Sequence, residues 1–176
     1  MLQYVYLKYG VAEMQNLVIW DFGSNSTRLS INEVSDEGKY QEVFRAKEMT
    51  RMAEGMGNSE KKVLQADAIE RTLDAVRNFQ KHYENLPNLK IKGIATAAVR
   101  VAENKEEFLE KIKSLTGVEV EILSGSAEAY YDFVGVANCL DVKDAVICDM
   151  GGGSFEVILM KNKKALNLIS IQSVSY

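Results

Sequence analysis

Two stretches of the chain set an acid beside flexible backbone rich in hydroxyls: VIWDFGSNSTRLS at residues 18–30 and VICDMGGGSFEVI at residues 146–158. In each, an apolar run ends in an aspartate, Asp21 or Asp149. A turn follows, built from Gly23, Ser24, Asn25 and Ser26 in the first and from Gly151, Gly152, Gly153 and Ser154 in the second. Glycine admits backbone conformations closed to other residues and lets a ligand approach the chain. N–H groups and hydroxyls converging on one point form a phosphate cradle. The neighbouring acid would repel a bare phosphate, so the pattern makes sense with a divalent cation or a positioned water between them. No helix and no Gly-Lys-Ser/Thr follows either turn, which excludes the dinucleotide fingerprint and the Walker pattern. One such turn is an ordinary hairpin; two, facing each other, would hold a chain of phosphates in the cleft between.

The elements that must carry these turns are legible in the periodicity. Residues 17–21, 28–34 and 40–50 read as three strands in two antiparallel hairpins, with residues 35–39 as a turn. Residues 51–59 form a loop. Ile69, Leu73, Val76 and Phe79 predict a helix over residues 60–83, with the only proline, Pro87, in its exit loop. Residues 91–95 are a strand. Asn104, with Glu107 three residues on, predicts the cap of a helix striped by Phe108, Ile112 and Leu115 and ended by Thr116 and Gly117. A strand at 118–123, a helix opening at residue 124, and strands at 145–148, 155–160 and 165–171 complete the order. Lys161, Lys163 and Lys164 read as a solvated turn. The chain is thus a strand triplet with helices and two further strands, then one more helix and a second triplet, incomplete by comparison with the first.

Composition sets the outer limits. The chain has 176 residues, 47% hydrophobic and 26% charged, which suits a folded core, and its net charge of −4 offers nothing global to nucleic acid or an anionic membrane. No apolar stretch is long enough to span a bilayer, so no membrane insertion is expected. Cys139 and Cys148 make no disulfide framework; Cys148, inside an apolar run, predicts a buried free thiol. His82 is the only histidine and has no partner for a metal or a triad. Residues 1–15 lack the marks of a signal peptide and read as an extra strand or as a start-site artefact with Met14 as the true start; a cytoplasmic setting follows.

The motifs DFGSNSTRL (21–29), ATAAVR (95–100), LSGSAEA (123–129) and DMGGGSFE (149–156) resemble, in order and spacing, the exopolyphosphatase and guanosine pentaphosphate phosphohydrolase family. MTRMAEGM (49–56) and AIERTLDAVRNF (68–79) resemble its loop and first helix, so the likeness runs from about Asn16 onward. The resemblance implies an α/β fold of the actin-like, sugar-kinase and chaperone-ATPase superfamily. A ribonuclease-H-like domain with a mixed five-stranded sheet and flanking helices would occupy residues 16–124, and the start of a second such domain residues 125–176. It implies release of terminal phosphate from inorganic polyphosphate or guanosine pentaphosphate, and a homodimer. Glu128 matches the catalytic glutamate that would orient and deprotonate water. Asp149 and Glu156 match acids that hold Mg2+ or help position the water. Asp21, Gly23, Ser24, Asn25 and Ser26 match one phosphate loop, and Gly151, Gly152, Gly153 and Ser154 the other. Arg28 and Arg100 are candidates for phosphate oxygens, which suit a guanidinium fork.

Two residues depart from that family's pattern. The first of its two adjacent glutamates is Ala127 here, and the arginine that often follows the motif's alanine is Tyr130. Family members also continue well past residue 176, so the sequence reads as the first part of a longer enzyme, weakly active alone. Polyphosphate and the guanosine substrate present the same phosphates to the same turns and stay unresolved. A non-enzymatic module sensing a guanosine alarmone and a kinase of the same superfamily are the alternatives.

Overall fold

The fold was taken from a computed structural model, which describes residues 14–57 and 61–172. Strands β1 (Gln15–Phe22), β2 (Thr27–Val34) and β3 (Tyr40–Glu48) form the expected antiparallel meander. Helix α1 (Ala66–Gln80) leads to β4 (Leu89–Ala95), which pairs parallel to β1. The short helix α2 (Ala97–Val101) and α3 (Lys105–Thr116) lead to β5 (Val120–Ile122), parallel to β4. The resulting order, β3-β2-β1-β4-β5, is the mixed five-stranded sheet of a ribonuclease-H-like, actin-like fold. Helix α4 (Gly125–Cys139) then enters a second, antiparallel sheet of β6 (Ala145–Met150), β7 (Ser154–Lys161) and β8 (Lys164–Gln172). The leader at residues 1–13, and Glu60, lie outside the described residues.

The first core is built on alternate residues of β1. Val18, Trp20 and Phe22 are buried, while Ile19 and Asp21 point to the other face. Trp20 stacks on Phe79 of α1 at 6.0 Å and donates from Nε1 to the Tyr83 hydroxyl at 3.2 Å. Phe22 meets Phe108 of α3 edge-on at 5.6 Å. Aromatic pairs in this geometry add about 0.5–1.5 kcal/mol each beyond area burial. The helices therefore sit on one face of β1, and the acid at its end is left to the other.

The second sheet is covered on one face only. Ala129, Phe133 and Val136 of α4 pack on Ile147, Ile158 and Met160. Val146, Met150, Leu159, Ile169 and Ile171 are exposed on the other face, and Cys148 is exposed with them. The buried thiol expected at Cys148 is therefore corrected: the apolar run holds, but its odd and even members face different surroundings.

The two triplets are copies in register. Asp21 opposes Arg28 and Asp149 opposes Glu156, 128 positions later in each case. Gly23 N donates to Ser26 O at 3.1 Å, and Gly151 N to Ser154 O at 3.0 Å. Even the bulge recurs, between Ile31 and Asn32 and between Leu159 and Met160.

Helix α1 starts at Ala66, later than expected, and Asn104 explains why. Its amide is spent on Leu64, accepting from Leu64 N at 2.9 Å and donating to Leu64 O at 3.0 Å, while Glu103 N donates to Lys62 O at 2.8 Å. This pairing ties residues 62–64, which stand outside the helix, to the segment before α3. It also corrects the capping expectation, because Asn104 makes no side-chain cap bond to α3. Asn104→Ala should lower stability by about 1–3 kcal/mol, the cost of stranding both Leu64 groups. Glu107→Ala, equally costly under a capping box, should stay within about 0.5 kcal/mol. Urea unfolding of the two variants distinguishes them.

Candidate active site

Both glycine turns line one cleft of about 320 Å³. They touch there: a Cβ added to Gly152 would stand 3.3 Å from Ser24 Cβ and 3.2 Å from Asn25 Cβ. The first turn is braced from behind, with Arg51 N donating to Asn25 O at 3.0 Å and Ala53 N to Ser24 O at 2.9 Å. Ser24 Oγ accepts from Ala98 N at 3.1 Å, so this hydroxyl is committed to α2. The N–H groups of Ser24, Asn25, Gly152 and Gly153 have no protein acceptor among the described residues. Carbonyls tied down and N–H groups left over are what an anion cradle needs.

Acids dominate the rest of the lining. Asp21, Glu128, Asp132, Asp149 and Glu156 face the cleft, against only Arg28 and Lys47. Two unit charges about 5 Å apart repel by about 3 kcal/mol at an effective dielectric of about 20. Burial pushes the Asp21 carboxyl above its usual range; Arg28, at 3.3 Å, opposes this and the charge of Asp149 adds to it. Burial likewise raises Glu128, with Arg100 opposing and Glu156 and Asp21 adding. Asp132 is pushed up to about 7, first by burial and then by Asp149, Glu156 and Glu128.

Asp149 and Glu156 are brought together by register, as directly opposed residues of β6 and β7. Glu156 is 1% exposed, and its Oε1 accepts from Ser170 Oγ at 2.8 Å. Carboxyl oxygens of Asp132, Asp149 and Glu156 lie within 4.8 Å of one another. Hard carboxylate oxygens at this spacing, in a cleft with three acids in excess, fit a divalent cation of the Mg2+ or Ca2+ type.

Glu128 enters from the first turn of α4, whose start is fixed by Ser124 Oγ accepting from Ala127 N at 3.2 Å. Its Oε2 accepts from Arg100 Nη1 at 2.5 Å. Arg100, expected to meet phosphate oxygens, is not in the cleft lining; its other partners are Leu123 O at 2.8 Å and Gln172 Oε1 at 3.2 Å. Arg28 does line the cleft. The remaining expected residues, from Asp21 through Ser26 and from Gly151 through Ser154, all gather there.

Residues 30–173 match the Ppx/GppA phosphatase family. The chain belongs to that family. A Ppx/GppA family member from Aquifex aeolicus is 31% identical, over 90% of this chain and 51% of its own, with a TM-score of 0.74. An exopolyphosphatase from Cytophaga hutchinsonii, 24% identical over 90% of this chain and 50% of its own, has a TM-score of 0.81 and shows the shared fold. The ethanolamine utilization protein EutJ from Carboxydothermus hydrogenoformans, 14% identical over 89% and 51%, shares the fold at a TM-score of 0.52. The chain spans about half the length of these proteins.

Sequence reasoning missed four residues in or beside this cleft. Lys47 and Asp132 line the cleft, and Ser170 and Gln172 support it from β8; Gln172 Nε2 donates to Gly153 O at 2.6 Å. Two signals were present. Asp132 lies four residues after Glu128, on the same helix face. On β8 the polarity is inverted, with Ser170 and Gln172 on the covered face and Ile169 and Ile171 exposed. Gly125 serves the same contact, since a Cβ there would stand 2.6 Å from Ser170 Cβ.

Because Asp132 holds its proton to a higher pH in the folded state than in the unfolded one, its contribution to stability is greatest below about pH 4. It is lost as the pH rises through about 7. In a chelator, Asp132→Asn should therefore melt higher than the parent near pH 8 and match it near pH 4. The gain should be about 2–4 °C for each kcal/mol relieved. Thermal melts across that range check it.

Proposed function

We propose that this cleft hydrolyses the terminal phosphoanhydride of a linear phosphate chain, with inorganic polyphosphate or guanosine pentaphosphate as substrate. The observation that carries the reading is the pair of register-matched turns, with N–H groups unspent, bracketing a group of carboxylates. Arg28 and Lys47 add the positive charge a phosphate chain needs at the mouth. Glu128 orients a water and takes its proton as the water oxygen attacks the terminal phosphorus in line. The bond to the bridging oxygen breaks, the electron pair stays on that oxygen, and the products are orthophosphate and a chain one unit shorter. Burial makes Glu128 a stronger base than an exposed glutamate, and Arg100 holds it in place. Asp149 and Glu156 would hold Mg2+, which when bound would neutralise phosphate charge.

A second reading is favoured by the Arg100 contact. A glutamate in a 2.5 Å ion pair is engaged, and a cleft that binds a guanosine alarmone without turning it over would look the same. Phosphate release from polyphosphate and from guanosine pentaphosphate, with Mg2+, separates the two in the protein of full natural length. Under the hydrolase reading, Glu128→Gln lowers kcat by about 10²–10⁴ with binding retained. Binding without turnover by the parent itself would establish the sensor and overturn the hydrolase.

A further inference from the structure

Asp132 has no part in the reaction as just described, and it is the residue the structure leaves least satisfied. Its Oδ2 is the one buried side-chain oxygen or nitrogen without a hydrogen-bond partner among the described residues. Buried carboxylate oxygens are costly unless a donor or a cation meets them. No salt bridge to Asp132 forms among the described residues, and the charged groups around it are Glu128, Asp149 and Glu156. Glu128 is already held by Arg100, one helical turn away. Asp132 is therefore the free carboxylate of α4.

We infer that Asp132 is a third ligand of the divalent cation, offering Oδ2 from α4 to the pair that Asp149 and Glu156 present from the β6–β7 hairpin. The inference deepens the phosphohydrolase reading and takes from it only the cation. Spacing supports it. One carboxylate oxygen from each of the three lies within 4.8 Å of the others, and oxygens around one cation stand about 2.9–4.2 Å apart for Mg2+ and up to about 5 Å for Ca2+. The three are thus close enough to share an ion with side-chain adjustments alone. Charge supports it as well. An anionic substrate cannot enter a cleft with five carboxylates and two bases unless part of that charge is neutralised. A cation at this cluster meets three of the five at once. Support from behind completes the argument, because Ser170 takes Oε1 of Glu156 and leaves the other oxygen for the ion. A third carboxylate raises affinity for a hard cation, so the site would load before substrate arrives.

Mn2+ is the probe, titrated by electron paramagnetic resonance without substrate, on the full chain at about pH 8. Asp132→Asn and Asp132→Ala are compared with Asp149→Asn and the parent. Circular dichroism in chelator confirms that each is folded. The expected result is Mn2+ binding weakened about tenfold or more by either Asp132 substitution and lost with Asp149→Asn. The rise in melting temperature that Mn2+ gives the parent should shrink in parallel. Asp132 variants that bind Mn2+ within about twofold of the parent would overturn the inference while leaving the Asp149 and Glu156 site intact. A parent that binds no Mn2+ would also overturn it, and the hydrolase reading would still be judged separately by Glu128→Gln.

Discussion

A guanidinium removed from water must find acceptors, and Arg100 finds them in the link before α4, on α4 itself and on β8, each at least 23 residues away from it in the chain. It reaches Leu123 O beyond β5, Glu128 on α4 and Gln172 on β8. Hydrogen bonds to a charged donor are about twice as strong as neutral ones, and removing one partner of a buried pair strands the other. The arrangement of the cleft follows from this contact. It pins the start of α4, so the acids of that helix point inward, and it anchors the last strand beside the first sheet. Gln172 extends the tie to Gly153, which places the second turn against the first.

What could be read from the residues was local. Strand triplets announced themselves by alternation, α3 by its stripe and its Gly117 stop, and the two turns by composition. Asp149 stood out beside its glycine turn, whereas the roles expected of Glu128, Asp149 and Glu156 came from a resemblance, and the register brings the last two together. What escaped was held by contacts across long separations. Arg100 meets partners 23, 28 and 72 residues away, and Asn104 meets Leu64 across 40, distances at which no periodicity signals a pairing. Asp132 drew no reading from the sequence, because its place in the cleft depends on the second sheet packed beneath α4. Cys148 was misjudged for a related reason: an apolar run says that a strand is there, and only the packing says which of its faces is covered.

The supporting shell also explains some otherwise odd choices. Gly125 stands at a helix start, where alanine would be the better helix former, because Ser170 occupies the space a methyl group would take. Ser170 is a polar residue on the packed face of a strand because Glu156 needs its hydroxyl. Local preferences give way at these positions to the needs of the carboxylates.

The repeated triplets differ at one telling place. Where the first copy carries Arg28 opposite Asp21, the second carries Glu156 opposite Asp149, on backbones that match down to the bulge. Two mirrored walls of equal shape would make a cleft with no front or back. A single exchange of charge sign turns this one into an oriented slot, cationic at one jamb and anionic at the other, so that its two ends are not interchangeable to anything laid along it.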